Sequence, residues 1–257
     1  MRFRSLGSGS SGNATVVEAG SGTNITRLLI DCGLKPNVLL ERLGIAGLAP
    51  AQIGAIFITH EHSDHIGCAR HWAVRHRTPV WMSDGTHLAA GESDFDGMLR
   101  LAQDGAPIDL GELQVTPFTV PHDAREPLQL SCSDGDRKLG VLTDLGHGTA
   151  HVLAHLAGCH ALLLECNHDA DMLAAGPYPA FLRQRVGGRF GHLSNVDAAQ
   201  IAHSLDHAGL NHVVAAHLSR QNNHPALARA AVALALGRSE SDIGVATQET
   251  GCDWISV

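Results

Sequence analysis

The sequence predicts an α/β fold in which two mixed β-sheets pack face to face with helices outside them. Three observations carry this. Short apolar runs bounded by Gly, Asn and Asp recur along the chain and read as strands. Stretches with helical spacing fall between them, and the second half restates the first half's strands and helices. The 257 residues are 44% apolar and only 17% charged, enough to bury a substantial core. No linker, low-complexity tract or short-period repeat interrupts them, so residues 1–257 read as a single domain.

Residues 2–6 alternate as a first strand, 7–13 turn, and 14–18 resume as a second strand. A third strand, 25–30, ends at Asp31-Cys32-Gly33. Residues 36–43 have helical spacing. The apolar run 55–58 is a strand, followed by a helix over 64–76 and a short strand over 79–82. Residues 113–120, 128–132 and 138–142 are three more strands, joined by turn chemistry such as Asp134-Gly135-Asp136. A helix over 149–155 and a buried strand over 161–164 come next. Residues 195–208 form an amphipathic helix that Asn195 is placed to cap. A strand over 212–216 precedes a helix over 225–236 with Pro225 near its first turn. Two short strands, 243–246 and 253–257, close the chain.

Composition narrows the function classes. The formal net charge is −8, so no global positive field gathers nucleic acid. A polyanionic substrate would need a local basic patch or bound metal ions. Six cysteines (Cys32, Cys68, Cys132, Cys159, Cys166 and Cys252) are scattered without a C-x-x-C pair. Reduced thiols in a cytosol are expected, not a disulfide framework. The N-terminal segment lacks a signal-peptide apolar core, and no stretch is long enough to span a bilayer. A soluble, cytoplasmic protein without a membrane partner is expected. Histidines number eighteen, so a lone histidine says little.

Thr59-His60-Glu61-His62-Ser63-Asp64-His65 is different. It reads T-H-x-H-x-D-H directly after the strand at 55–58 and crowds metal-binding side chains into one short loop. Imidazole nitrogen and carboxylate oxygen suit Zn, Mn and Fe. A hydrolytic metal site draws ligands from several elements and keeps a position open for water. Further candidates stand at strand ends: His122 after 113–120, Asp144 after 138–142 and His217 after 212–216. Each alone is more often a structural histidine or a turn former. Their order of dense block, His, Asp, His, each after an apolar strand, makes them a set.

Together with Asp31, these motifs resemble the metallo-β-lactamase superfamily over nearly the whole chain. The resemblance implies a four-layer αββα sandwich with a dinuclear metal site on one edge. It implies that His60, His62 and His122 hold one divalent metal ion and that Asp64, His65 and His217 hold the other. Asp144 would bridge the two, with Asp31 supporting the ligands from behind. Two neighbouring cations need a shared carboxylate to offset their repulsion, and together they acidify a shared water. Zn or Mn, with Fe possible, is expected for both positions; the ligand types do not choose among them.

The stretch Leu162-Leu163-Leu164-Glu165-Cys166-Asn167-His168 and the run Gly191-His192-Leu193-Ser194-Asn195 are similar to the ribonuclease Z-like branch. There a Glu after a strand orients a His that protonates the leaving oxygen. The matching residues here are Glu165 and His192. A phosphodiester's alkoxide leaves poorly without a proton, and Glu165 would raise the His192 pKa and fix its tautomer. The YycJ/WalJ-like group is more similar still. Its features resemble Leu6-Gly7-Ser8-Gly9-Ser10-Ser11-Gly12-Asn13, Glu165-Cys166-Asn167-His168-Asp169, Gly176-Pro177-Tyr178-Pro179, Gly191 to Asn195 and Leu218-Ser219-Arg220-Gln221-Asn222-Asn223. That resemblance implies exonuclease activity on DNA.

Local charge points the same way. Arg183, Arg185 and Arg189 lead to His192 with no acidic residue from Gly176 to Val196. Arginine forks match phosphate geometry. These three arginines, with Ser194 and Asn222, are the candidate substrate contacts. The 7–13 loop either approaches the substrate backbone or is a tight turn. One Tyr, three Trp and six Phe, with no aromatic cluster, leave no stacking platform for reading bases. His147, His151, His155 and His160 read as a histidine-rich exposed helix. The expected function is a metal-dependent phosphodiesterase acting on nucleic acid, DNA before RNA. Its two metals would generate a hydroxide oriented by Asp64, with His192 as general acid. A glyoxalase II-like thioesterase or a lactonase would use the same metals without a strong acid. A non-catalytic metal-binding protein would keep the ligands alone.

Overall fold

The computed structural model describes residues 1–257, the side chain of Ser21 excepted. The first half comprises β1 (Arg2–Gly7), β2 (Ala14–Ser21), β3 (Asn24–Ile30), α1 (Pro36–Ile45), β4 (Ala55–Phe57), α2 (Ser63–Ile66), α3 (Ala69–His76), β5 (Val80–Met82), α4 (Asp84–Ala89) and β6 (Leu99–Leu101). β7 (Ile108–Asp109), β8 (Gln114–Thr119), β9 (Leu128–Ser133), β10 (Lys138–Leu142), α5 (Ala150–Leu156) and β11 (Ala161–Glu165) follow. The chain ends with α6 (Ala170–Ala175), α7 (Ala180–Val186), α8 (Asn195–Ser204), β12 (His212–Ala216), α9 (Pro225–Leu236), β13 (Ile243–Val245) and β14 (Ile255–Ser256).

Two seven-stranded sheets result, ordered β14-β1-β2-β3-β4-β5-β6 and β13-β12-β11-β10-β9-β8-β7. β3 to β6 are parallel in the first, and β10 to β13 are parallel in the second. Side-chain alternation decides the layers. Ala55 and Phe57 of β4 enter the core between the sheets, while Ile56 and the following Ile58 join an outer core with Leu39, Leu43 and Trp72 of α1 and α3. In β11, Ala161 and Leu163 face inward, while Leu162 and Leu164 pack with Val152, Ile201 and Val232 of α5, α8 and α9. A central parallel strand must be apolar on both faces, which is why these strands read as unbroken apolar runs. The result is the expected αββα sandwich. Among the described residues no helix is long and apolar enough to cross a membrane.

Several local expectations are corrected. The helix over 64–76 is broken at Gly67, whose φ is 26°; a Cβ there would meet the Cys32 carbonyl oxygen at 2.5 Å. The helix expected to reach 208 stops at Ser204, and its cap is Ser194. Ser194 Oγ accepts from Asp197 N at 3.1 Å, while Asn195 exchanges amide hydrogen bonds with Asn223 at 2.9 Å. β6, β7, α4, α6 and α7 were not anticipated, because elements this short carry too little periodicity to read. Only His151 and His155 of the four extra histidines lie on α5.

Candidate metal centre

The site forms where strands end. Asp31 follows β3, the T-H-x-H-x-D-H loop follows β4, His122 follows β8, Asp144 follows β10, Glu165 ends β11 and His217 follows β12. Two of these positions are strained: Asp31 has φ 62° and His217 has φ 53°. Left-handed backbone at a non-glycine residue is uncommon and clusters at functional sites. A Cβ on Gly33 would lie 1.6 Å from the Asp64 carbonyl oxygen, so only glycine lets the 31–33 turn press against the metal loop. Cys32 N and Asn13 N tie down that loop through the carbonyls of His65 and Asp64, each at 2.8 Å.

The first group is His60, His62 and His122. His60 Nε2 lies 3.0 Å and His122 Nε2 lies 3.3 Å from His62 Nδ1. His122 Nδ1 donates to the Gly191 carbonyl at 3.0 Å, which leaves a lone pair on Nε2. Thr59 Oγ1 donates to Asp31 and so accepts from His60 Nδ1 at 3.0 Å, which leaves a lone pair on that Nε2 as well. Three ring nitrogens therefore converge with at most one proton among them.

The second group is Asp64, His65 and His217. His65 Nδ1 donates to Asp31 Oδ2 at 2.8 Å, and Asp31 Oδ1 accepts from Thr59 N at 2.9 Å. His65 Nε2 then faces Asp144 Oδ2 at 3.0 Å and Asp64 Oδ2 at 3.6 Å. His217 Nδ1 donates to Glu165 Oε1 at 3.2 Å, and its Nε2 is 3.5 Å from Asp64 Oδ2. Asp144 Oδ2 and His217 Nε2 are buried without a hydrogen-bond partner; the close approach of His65 to Asp144 is a charge contact without hydrogen-bond direction. Orphaned buried atoms are rare unless something else satisfies them. Nitrogen and carboxylate lone pairs gathered this way fit divalent Zn or Mn.

Electrostatics agree. Asp31, Asp144 and Glu165 are at most 2% exposed, and a buried carboxylate costs several kcal/mol unless compensated. Burial opposes charge on His65, but Asp144 and Asp31 outweigh it and hold the ring well above the usual histidine range. Burial is likewise overcome at His217, where Asp144, Asp64 and Glu165 push the pKa up to about 10. Burial would raise the Asp144 carboxyl, yet His217 and His65 hold it well below the carboxylate range. His60 is driven far down by burial and by the charge on His65. A cation would compete with protons for these lone pairs.

Beside the donors stands His192. Its Nδ1 is 2.7 Å from Glu165 Oε1 and 3.4 Å from Asp144 Oδ1. Glu165 Oε2 is fixed by Leu145 N at 2.8 Å and Leu193 N at 3.3 Å. Burial works against charge on His192, but Glu165 raises its pKa above the ordinary value. A cleft of about 370 Å³ opens onto His62, Asp64, Asp144, His192 and His217, with Tyr178, Leu182 and Arg185 also lining it.

Of the arginine island, only Arg185 reaches this cleft, with Nε 2.5 Å from Asp123 Oδ2. Arg183 lines a neighbouring groove with His168 and Gly187. The Arg189 carbonyl accepts from His147 Nδ1 at 2.9 Å. Ser194 and Asn222 do not line the cleft. Ser194 caps α8, and Asn222 is fully buried with Nδ2 3.3 Å from Ser219 Oγ. Ser194 is engaged at the helix start, whereas Asn222 Oδ1 is buried without a hydrogen-bond partner. The 7–13 loop supports the centre directly. Ser8 Oγ accepts from His217 N at 2.8 Å, Asn13 Nδ2 lies 3.0 Å from His65 Nε2, and Ser10 lines the cleft. Sequence reasoning singled out that loop without assigning these contacts. It missed Asp123, whose only signal was its place beside His122, and Tyr178. Phe181 and Phe190, 71% and 60% exposed, stand on the same segment as Tyr178, so the sparse aromatics are less scattered than expected.

Paired sheets with histidine and aspartate donors at their strand ends define a class, and the chain belongs to it: the metallo-β-lactamase superfamily, whose profile matches residues 7–164. Within that class it is 33% identical over 251 residues to exodeoxyribonuclease YycJ of Bacillus anthracis, across 96% of this chain and 93% of that protein. It is 30% identical over 249 residues to exodeoxyribonuclease WalJ of Streptococcus pneumoniae, across 95% and 91% of the two chains. Among solved structures, the metallo-β-lactamase-fold protein YhfI from Bacillus subtilis superposes with a TM-score of 0.75 over 99% of both chains. Identity there is 17%, so that likeness concerns the fold alone.

Proposed function

We propose that this protein is a metal-dependent phosphodiesterase that degrades DNA from its ends, in line with the names its relatives YycJ and WalJ carry. The observation that carries the reading is the His192–Glu165 pair, at 2.7 Å, set against donor groups that share Asp144. His60, His62 and His122 would hold one divalent cation, Asp64, His65 and His217 a second, with Asp144 between them. Such cations supply the charge that acidifies water and offsets the phosphate oxygens.

The chain's own groups do the rest. Asp64 borders the cleft and aligns the attacking water by accepting its hydrogen. As the new P–O bond forms, the bond to the leaving oxygen breaks. His192, with Nδ1 held by Glu165, passes the proton on Nε2 to that oxygen. Arg185, 60% exposed at the cleft, pairs with a phosphate in place of Asp123. A supported acid favours phosphodiester cleavage over thioester or lactone hydrolysis, whose leaving groups depart more readily without one. A cytoplasmic location is part of this reading, since it would bring the protein together with a DNA substrate.

The test is end-labelled DNA and RNA, single- and double-stranded, with Zn²⁺ or Mn²⁺. Wild type should shorten DNA and His62→Ala should not. If both are inert on nucleic acid and on bis-p-nitrophenyl phosphate while wild type turns over a thioester or lactone, the reading is rejected.

A further inference from the structure

We propose that Asp104, His151 and His155 form a separate surface site that binds one transition-metal cation, Zn²⁺ being the representative case. The two histidines stand four residues apart on α5, so their rings share a face, with centroids 4.6 Å apart. One ligand atom from each, with a carboxylate oxygen of Asp104, lie within 4.8 Å of one another. Two helical imidazoles at this spacing plus one carboxylate are a recurrent zinc donor set, with water completing the shell.

Each donor is held by something other than a cation. Asp104 Oδ1 accepts from Thr119 N at 2.8 Å and lies 3.0 Å from His151 Nε2. The His155 ring stacks on Phe118 at 5.0 Å with planes 13° apart. That fixes the donors before metal arrives, which lowers the ordering cost of binding. An ordinary surface ion pair between Asp104 and His151 would account for two of the three residues. The helical spacing and the Phe118 stack set His155 beside that pair, which makes its ring a third donor. Burial and the His151 charge push the His155 pKa down, which favours the neutral ring that binds metal. The side chains of Asp104 and His151 are 42% and 44% exposed, so a cation reaches them from solvent. No residue of this trio belongs to the central groups. A cation here would tie α5 to the segment between β6 and β7 and, through Thr119, to the end of β8 that leads to His122.

The experiment is zinc counting after dialysis of the full-length protein against micromolar Zn²⁺. Wild type is compared with a His151→Ala/His155→Ala double variant and with an Asp64→Asn/His122→Ala variant of the central groups. The double variant should retain one zinc fewer than wild type with an unchanged circular dichroism spectrum. The central variant should lose zinc yet still show the His151 and His155 ring resonances shifting on Zn²⁺ addition. Asp104→Asn, which keeps an acceptor for Thr119 N, should weaken this zinc at least about tenfold. Equal zinc in wild type and the double variant, or ring resonances that ignore Zn²⁺, overturns the proposal. Because those readouts need no nuclease activity, failure here and failure of the nuclease reading are separable.

Discussion

The two halves of the molecule build one edge by different means. The first half delivers His60, His62, Asp64 and His65 from a single loop after β4, held locally by Thr59, Asp31 and Asn13. The second half delivers its groups singly, each from its own strand end, and their placement follows from sheet register: Leu142 opposite Leu164, and Glu165 opposite Ala216. Support is shared there. Glu165 alone faces both His192 and His217, and Asp144 lies within 3.7 Å of His65, His122, His192 and His217. Damage to the first half should therefore remove one donor, whereas damage to Asp144 or Glu165 should disturb several.

Asp144→Asn is the severest test of that contrast. Outer supports of metal ligands are worth about 10- to 100-fold, so loss of a carboxylate that lies against histidines of both groups should cost more than about 100-fold in turnover and lower the bound metal. Atomic absorption and DNA cleavage measure the two losses. Asp144→Asn protein with full metal and full turnover would mean that the halves work independently.

His192→Ala comes next. Removal of a general acid should lower kcat by about 10²- to 10⁴-fold while metal content stays unchanged. Glu165→Gln should do more than imitate it, because His217 loses its partner too. The sign of the pH effect is fixed. Glu165 raises the His192 pKa, so the charged acid is present below that pKa and disappears as pH rises through it. Glu165→Gln lowers the pKa, and the alkaline fall in kcat should move to lower pH. A limb that stays in place refutes the assignment of His192 as the acid.

Metal binding itself separates protonated donors from neutral ones. In the metal-free protein His65 and His217 hold protons, His217 up to about 10, while His60 does not. Zn²⁺ binding at pH 7.5 should release about two protons per chain, and affinity should fall as pH falls. Calorimetry in buffers of different ionisation enthalpy counts them, and zero release contradicts the Asp64, His65 and His217 assignment. The raised His217 pKa also stabilises the metal-free fold fully below its unfolded value, and this contribution is lost as pH rises through about 10.

The same contrast explains what could be read from sequence. The central strands were legible because burial on both faces leaves unbroken apolar runs such as Leu162-Leu163-Leu164. The 59–65 loop was legible because its donors are neighbours in the chain. His122, Asp144 and His217 are single residues, and only their order after strands and the family resemblance made them a group. Asn13 and Asp123 act through contacts that cross the fold, to His65 and Arg185, and sequence spacing carries no trace of such contacts. Asn222 was singled out from its run alone, and spacing does not tell that its side chain lies in the interior with Nδ2 3.3 Å from Ser219 Oγ.

The smallest expected effect concerns the wall of the cleft that Arg185 lines. Arg185 is 60% exposed, and an exposed ion pair contributes about 1 kcal/mol at most, so Arg185→Ala should leave the melting temperature almost unchanged. A lost phosphate contact should instead raise KM for DNA several-fold and reduce the slope of log affinity against log salt by about 1. Arg183→Ala should change both less, since Arg183 lines the neighbouring groove. If Arg183→Ala costs more than Arg185→Ala, the phosphate contact lies in that groove, past His168, and not at the Arg185 wall of the cleft.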